Sequence, residues 1–426
     1  MPPVRLPAIA TVDPQRPIPR PTRDHGIAAP LPPPGISCSL ARVTDAPPST
    51  GKPARVDEFD GLRGILALWV ALSHMVAWTG HWENPLPGRL KDVWKTFVSA
   101  DPAVDTFIIL SGFVISFLLH HRHQSYAAFM RGRFFRIYPV YLVCLALGIA
   151  SSFLVPAIIS TAAWKETIYF EWMAEFVKQE QAAFGSHVFW HVTLLNGLLP
   201  KDFLPLATGT LLAPAWSITL EWQYYLVAPL LARGVKSAFG LLAIGAIAWL
   251  GLEFASDWRN PQLSFLPAQL PLFLIGIASY HLYHARCEGS SIRFLPSLTP
   301  AALIVFAVTS GWHPVSLTAW AIGFGCIMVR GNDPFSRLLA IARVILLHPL
   351  LQHLGKLSFP VYLVHWPLII LMITVILKVR PTMPGHLALA VLIVVGIPVI
   401  LVAAEIIHRL IEKPGMDLGK RLERKR

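Results

Sequence analysis

Arg63 and His74 stand eleven residues apart in FDGLRGILALWVALSHMVAW, a stretch that is almost wholly apolar from Ile65 onward. A guanidinium binds phosphates and carboxylates through a planar fork of donors, and a neutral imidazole accepts a proton at ordinary pH. On a helix, eleven residues turn the chain by about 1100°, roughly 20° past three full turns, and rise about 16 Å. The two side chains then share one helix face, with an anion holder at one end and a base at the other. The plainer readings are that Arg63 only snorkels to lipid phosphates and that His74 is hydrogen-bonded between helices. For His74 the functional reading is the stronger, because an ionisable group in so apolar a run is costly unless it is used.

Other segments carry polar chemistry in apolar surroundings. DTFIILSGF holds Asp105 and Ser111, PAWSITLEWQYYLVAP holds Glu221, and GKLSFPVYLVHWPL holds His365. Counted from their helix ends, Asp105 and Glu221 fall at a depth similar to that of His74, so the three are expected to converge, the carboxylates orienting the imidazole or binding hydroxyls. An N-cap role for Asp105 and a satisfied core position for His365 are the alternatives. RGRFFRIYP places Arg131, Arg133 and Arg136 just before an apolar run, either as a phosphate site or as positive-inside anchors. His120, His121 and His123 lack a clear carboxylate or thiolate partner, so no metal is expected. Cys38, Cys144, Cys287 and Cys326 are scattered and argue neither a disulfide framework nor a metal site. Gly-rich phosphate loops, dinucleotide fingerprints and nucleophile elbows are not evident.

The elements that must position these residues are membrane helices. Of the 426 residues 54% are hydrophobic and only 14% charged, against roughly one quarter charged in soluble domains. The predicted fold is all-α and polytopic, with about ten spans near 60–79, 102–120, 137–157, 214–232, 237–254, 262–283, 298–311, 315–330, 357–377 and 387–408. The seventh and eighth are short and meet at Gly311–Pro314, either as a hairpin of two spans or as one broken element. With the N-terminus inside, 27 Lys and Arg fall on the cytoplasmic side and 9 outside, so the positive-inside rule accounts for the net charge of +12 without nucleic acid. Residues 1–55, rich in Pro and Arg and lacking an apolar signal segment, read as a disordered cytoplasmic tail. Residues 56–414 then form the transmembrane domain and 415–426 a basic cytoplasmic tail. The segment 158–213 is expected outside, with His187 to Leu199 at or dipping into the interface.

Taken together, FDGLRG with Arg63 and, after ten intervening residues, His74, then DTFIILSGF, RGRFFRIYP, PAWSITLEWQYYLVAP, GKLSFPVYLVHWPL and Glu412-Lys413-Pro414 resemble the acyltransferase 3 family of integral membrane acyltransferases, from about Phe59 to Pro414. The resemblance implies a ten-helix enzyme of the inner (plasma) membrane with both termini cytoplasmic. It would move an acyl group from acyl-CoA, commonly acetyl-CoA, to a hydroxyl of a carbohydrate or glycoconjugate such as a cell-surface polysaccharide. It further implies that His74 is catalytic, that Arg133 and Arg136 bind the donor, and that Arg63 belongs to the same donor-to-catalyst motif. Beside these, Glu221 is read as a second catalytic residue and Asp105, Ser111 and His365 as substrate-binding. Membrane lipids surround the chain, and any second transfer step would need a separate protein partner. Direct attack and a route through acyl-His74 stay open. The rival class is a transporter or flippase with a His/Asp/Glu proton relay.

Overall fold

The computed structural model describes residues 56–83, 89–122, 124–200, 202–257, 264–287 and 314–424, and among these it is all-helical. The expected tail 1–55, the seventh apolar segment at 298–311, Cys38 and His123 lie outside the described residues. In chain order the helices are α1 (Asp57–Trp78), α2 (Arg89–Val98), α3 (Asp101–His121), α4 (Tyr126–Ser152), α5 (Val155–Thr161), α6 (Ile168–Ala182), α7 (Phe184–Val192), α8 (Trp216–Gly234), α9 (Ala238–Asp257), α10 (Leu266–Cys287), α11 (Pro314–Met328), α12 (Pro334–Leu346), α13 (Pro349–Val379) and α14 (Gly385–Glu423). Five of these, α1, α3, α4, α13 and α14, are long and apolar enough to cross a membrane. Leu242, Trp249, Val375, Val394 and Val402 point outward and are more than half exposed, an apolar surface that suits lipid and not water.

Two close helix pairs build the core, and both depend on glycine. α13 runs beside α1, and a Cβ on Gly64 would stand 2.9 Å from the Leu351 carbonyl oxygen, one on Gly355 2.0 Å from that of Asp60, while one on Gly61 would meet the carbonyl oxygen of Leu346, at the end of α12, at 2.0 Å. Only the missing side chains let the backbones approach so far, as small residues do in membrane helix packing. The pair is parallel: Asp60 meets Gly355 at one end, and His74 meets His365 further along both helices. α3 and α10 pack likewise through Gly112 and Gly276, whose added Cβ atoms would meet Phe273 O at 2.3 Å and Ile109 O at 1.9 Å.

At the Trp78 end of α1 the segment after α4 folds back as α5 to α7 and irregular chain, and buried polar groups pin it to the bundle. Tyr141 on α4 donates to His191 O at 2.8 Å, Thr219 on α8 donates to Asn196 Oδ1 at 2.8 Å, and Asn196 donates to Ala207 O at 3.0 Å. Leu211, at positive φ, donates its backbone N–H to buried Glu180 at 2.9 Å. This is a folded cap and not a loose loop. At the Asp57 end, Glu58 is 3% exposed and pairs with Arg343 on α12 at 2.7 Å.

Two local readings change. α4 begins at Tyr126, so Arg131, Arg133 and Arg136 lie within its first turns rather than in a preceding loop; Ser125 caps it by accepting from the Ala128 N–H. The basic stretch 330–343 also contains helix, α12, started by Asp333 accepting from the Phe335 and Ser336 amides. α14 carries π turns at Leu392–Gly396 and His408–Glu412 and continues helically to its basic end, packing on α4, where Arg131 donates to Leu422 O at 2.8 Å.

Candidate active site

His74 and His365 face each other between α1 and α13, with His74 Nδ1 2.9 Å from His365 Nε2. The protons can be assigned from the partners. His365 Nδ1 lies 3.0 Å from the Val361 carbonyl oxygen, which can only accept, so Nδ1 carries the proton and Nε2 of the neutral ring accepts. His74 Nδ1 must then donate to it. The proton-free atom of His74 is Nε2, the lone pair a general base needs. His365 is fully buried, and the Trp366 ring lies edge-on to His74 at 5.1 Å, so the imidazole is held on two sides.

Further down the same helices is a cavity of about 90 Å³ lined by Arg63, Ser111, Arg136, Ser217, Glu221 and Tyr362 among others. Glu221 accepts from Ser111 Oγ at 3.0 Å and from the Tyr225 hydroxyl, one helical turn along α8. Arg133 stacks over the Tyr225 and Phe129 rings at 5.6 and 5.9 Å, and its Nε has no hydrogen-bond partner among the described residues. This arginine cavity joins a second one at the Asp57 end, and Arg63, Arg136, Ser358 and Phe359 line both. The second cavity adds Asp60, Lys356, His408 and Glu412; Arg63 sits 3.4 Å from Asp60, and Glu412 accepts from His408 Nδ1 at 2.7 Å. Arg63, Arg136 and Lys356 are the groups here that could hold a phosphate, beside the carboxylates of Asp60 and Glu412.

His74 opens the other way. A cavity of about 360 Å³ at the Trp78 end is lined by Ser73, His74, Trp82, Ser99, Asp101, Tyr169 and Trp172 among others. Tyr362 stands between this side and the arginine cavity: its hydroxyl is fixed by Ser217 Oγ at 2.7 Å and Pro214 O at 3.0 Å, and its ring is 6.2 Å from that of His365.

The structure brings together two of the expected groupings and separates a third. His74 meets His365, while Glu221 and Ser111 meet beside Arg63 and Arg136. The expected convergence of Asp105 and Glu221 on His74 does not occur. Asp105, 6% exposed, instead accepts from Ser316 on α11 at 2.9 Å. Glu221 lies deeper than its place near the start of α8 suggests, at the level of Ser111, ten residues or about 15 Å into α3. The reason is that α8 begins under the folded cap, where Leu212, Ala215 and Ile218 are buried, so its first residue marks no membrane boundary. Tyr362, Tyr225 and Trp172 were not singled out. The first two are spaced to be found, three residues before His365 and four after Glu221, on the same helix faces.

Comparison with known proteins identifies the family. The family model described as an acyltransferase domain, Acyl_transf_3, matches residues 56–405. The chain therefore belongs to the acyltransferase 3 family. Among curated proteins it is similar to "Protein 2 in picA locus" of Rhizobium radiobacter, 28% identical over 181 residues that make up 41% of this chain and 80% of that protein. No solved structure matches.

Proposed function

We propose that this membrane acyltransferase moves an acyl group, acetyl foremost, from cytoplasmic acyl-CoA to a hydroxyl of a carbohydrate or glycoconjugate on the far side of the membrane. The observation that carries the reading is the proton chain Val361–His365–His74, which leaves His74 Nε2 as a base in the wall of one cavity while arginines line another on the same helix pair. His74 takes the acceptor's hydroxyl proton as the oxygen attacks the thioester carbonyl. The oxygen–acyl bond forms, the carbon–sulfur bond breaks, and His74 returns the proton to the departing sulfur. His365 holds the tautomer throughout. Arg63, Arg133, Arg136 and Lys356 suit the CoA phosphates, with Glu221 keeping Tyr225 in place beneath Arg133. Nothing metallic is required by these roles.

The full ten-span topology with both termini cytoplasmic belongs to the same proposal. Parallel pairing of α1 with α13, and of α3 with α10, is what spans of equal parity would show, the first with the ninth and the second with the sixth. Reconstituted protein given acetyl-CoA and a hydroxylic acceptor should release free CoA thiol and form an ester, and His74→Ala should do neither while inserting at normal abundance. Movement of the acceptor across the bilayer without thiol release would instead mean a transporter.

A further inference from the structure

Tyr362 stands between the arginine cavity and the histidine pair. It lies three residues before His365 on α13, a rise of about 4.5 Å on the same helix face, toward the end that carries Lys356. It lines the arginine cavity together with Ser217, and its ring is 6.2 Å from that of His365. The side chain is buried and meets the Phe107 ring edge-on at 5.9 Å, so its direction is fixed. Among the described residues lining that cavity, the hydroxyl and guanidinium donors are Arg63, Arg136, Ser111, Ser217, Ser358 and Tyr362. Four of these are engaged elsewhere. Arg63 is about 16 Å of helix rise from His74, and Arg136 reaches with it into the second cavity. Ser111 donates to Glu221, and Ser358 donates to Gly355 O within its own helix. Tyr362 and Ser217 are the donors left at the His74 end.

Their hydroxyls form a chain with a second arrangement built in. Pro214 O can only accept, so Tyr362 donates to it at 3.0 Å, and the 2.7 Å contact is Ser217 donating to the Tyr362 oxygen. Ser217 Oγ also lies 3.4 Å from Pro214 O. When the Tyr362 proton turns to another acceptor, the Ser217 proton can turn to Pro214 O, and that carbonyl keeps a hydroxyl donor either way. We infer that Tyr362 is a further catalytic residue, whose hydroxyl leaves Pro214 O to hold the thioester oxygen as it becomes an oxyanion, while Ser217 takes its place. The inference rests on the acyl-transfer reading above and adds the group that stabilises the transition state. As the acceptor oxygen bonds to the acyl carbon, its proton passes to His74 Nε2 and the carbonyl π pair moves onto oxygen, where it meets the Tyr362 O–H. On collapse the carbonyl re-forms, the carbon–sulfur bond breaks and His74 gives the proton to sulfur. Tyr362 keeps its own proton throughout. A donor of this kind acts where charge develops, at the acyl carbon, whereas arginines at the far end of the cavity hold donor and transition state equally. A mere tie between α13 and the start of α8 would need only the Pro214 bond, and leaves both hydroxyls in the cavity wall unexplained.

The test uses the full chain in nanodiscs and two donors, acetyl-CoA and its dithioester analogue with sulfur in place of the carbonyl oxygen. Glycerol, methyl glucoside and methyl galactoside serve as hydroxyl acceptors, and free CoA thiol is the readout for both donors. Sulfur accepts hydrogen bonds weakly, so a donor at this atom makes the enzyme prefer oxygen. Tyr362→Phe should lower kcat with acetyl-CoA by about 10²- to 10³-fold, the worth of one oxyanion donor, and leave the acetyl-CoA KM unchanged. The oxygen-to-sulfur rate ratio should fall by about 10-fold or more in the same variant. That ratio compares two donors on one preparation, so a misfolded fraction does not alter it. Ser217→Ala should cost about 10-fold in kcat. A ratio in Tyr362→Phe equal to that of the unsubstituted protein overturns the oxyanion role and leaves acyl transfer standing, and undiminished kcat in Ser217→Ala overturns the hand-over. No thiol release by the unsubstituted protein with any of these acceptors overturns the acyl-transfer reading and the inference with it.

Discussion

The two cavities on the α1–α13 pair are built from opposite materials. The arginine cavity mixes guanidinium, carboxylate and hydroxyl groups, with Arg63, Arg136, Glu221 and Ser111 in one lining. The cavity on which His74 opens has tryptophan, tyrosine, one carboxylate and the His74 imidazole, which is paired with the neutral imidazole of His365. A phosphate-bearing donor needs fixed charge that survives desolvation, and arginine provides it at any physiological pH. A base needs a group that can be neutral, and an uncharged hydroxylic acceptor needs flat apolar walls. On the proposed function, donor and acceptor would be recognised by separate physics at separate ends of one helix pair. Each end should therefore fail separately when damaged.

The largest expected effect is His74→Ala, which should lower kcat by between about 10²- and 10⁴-fold, the usual worth of a positioned general base. Donor binding, read by equilibrium binding of a non-reactive CoA thioether, should persist in this variant. Next comes Arg136→Ala or Arg133→Ala, expected to raise the acyl-CoA KM by about 10- to 100-fold through loss of charge-assisted bonds. An acceptor KM that moved with it would break the division between the cavities. Gly355→Ala should injure both ends at once. Its Cβ would stand 2.0 Å from Asp60 O, and overpacking of this kind costs about 1–3 kcal/mol, seen as a lower melting temperature together with changes in kcat and donor KM. The smallest effect is at His365. His365→Phe removes the acceptor for His74 Nδ1–H and should cost about 10-fold in kcat, while His365→Gln, whose amide oxygen can stand in for Nε2, should recover part of it. Equal losses in both variants would show that His365 serves only packing.

Much of this was legible in the sequence because membrane helices are announced by apolar length: each described segment expected as a span contains helix, and five helices are long and apolar enough to cross a membrane. The Arg63–His74 face was legible for the same reason, since a helix fixes angle and rise per residue. His365 could be named from its apolar setting, but not its partner, because contact between residues 291 apart depends on how closely two backbones approach. The glycines that permit that approach are visible in the chain, yet their facing partners are not. Glu221 shows the opposite failure. Its depth was reckoned from the start of α8, and the cap formed by 196–215 moved that start inward. Trp172 was invisible as a site residue because its exposure depends on how α6 folds over the end of α1.

The glycine contacts between α1 and α13 have a mechanical consequence. Two helices whose backbones touch at Gly64 and Gly355 act as a single strut, because neither can slide along the other without driving side chains into the space that glycine leaves. Membranes differ in thickness by several ångströms, and helices respond mainly by tilting. A strut tilts as a whole. The rise of about 16 Å along α1 from Arg63 to His74 is thus a property of the protein and not of the lipid around it, and the enzyme keeps its own measure in thick and thin bilayers alike.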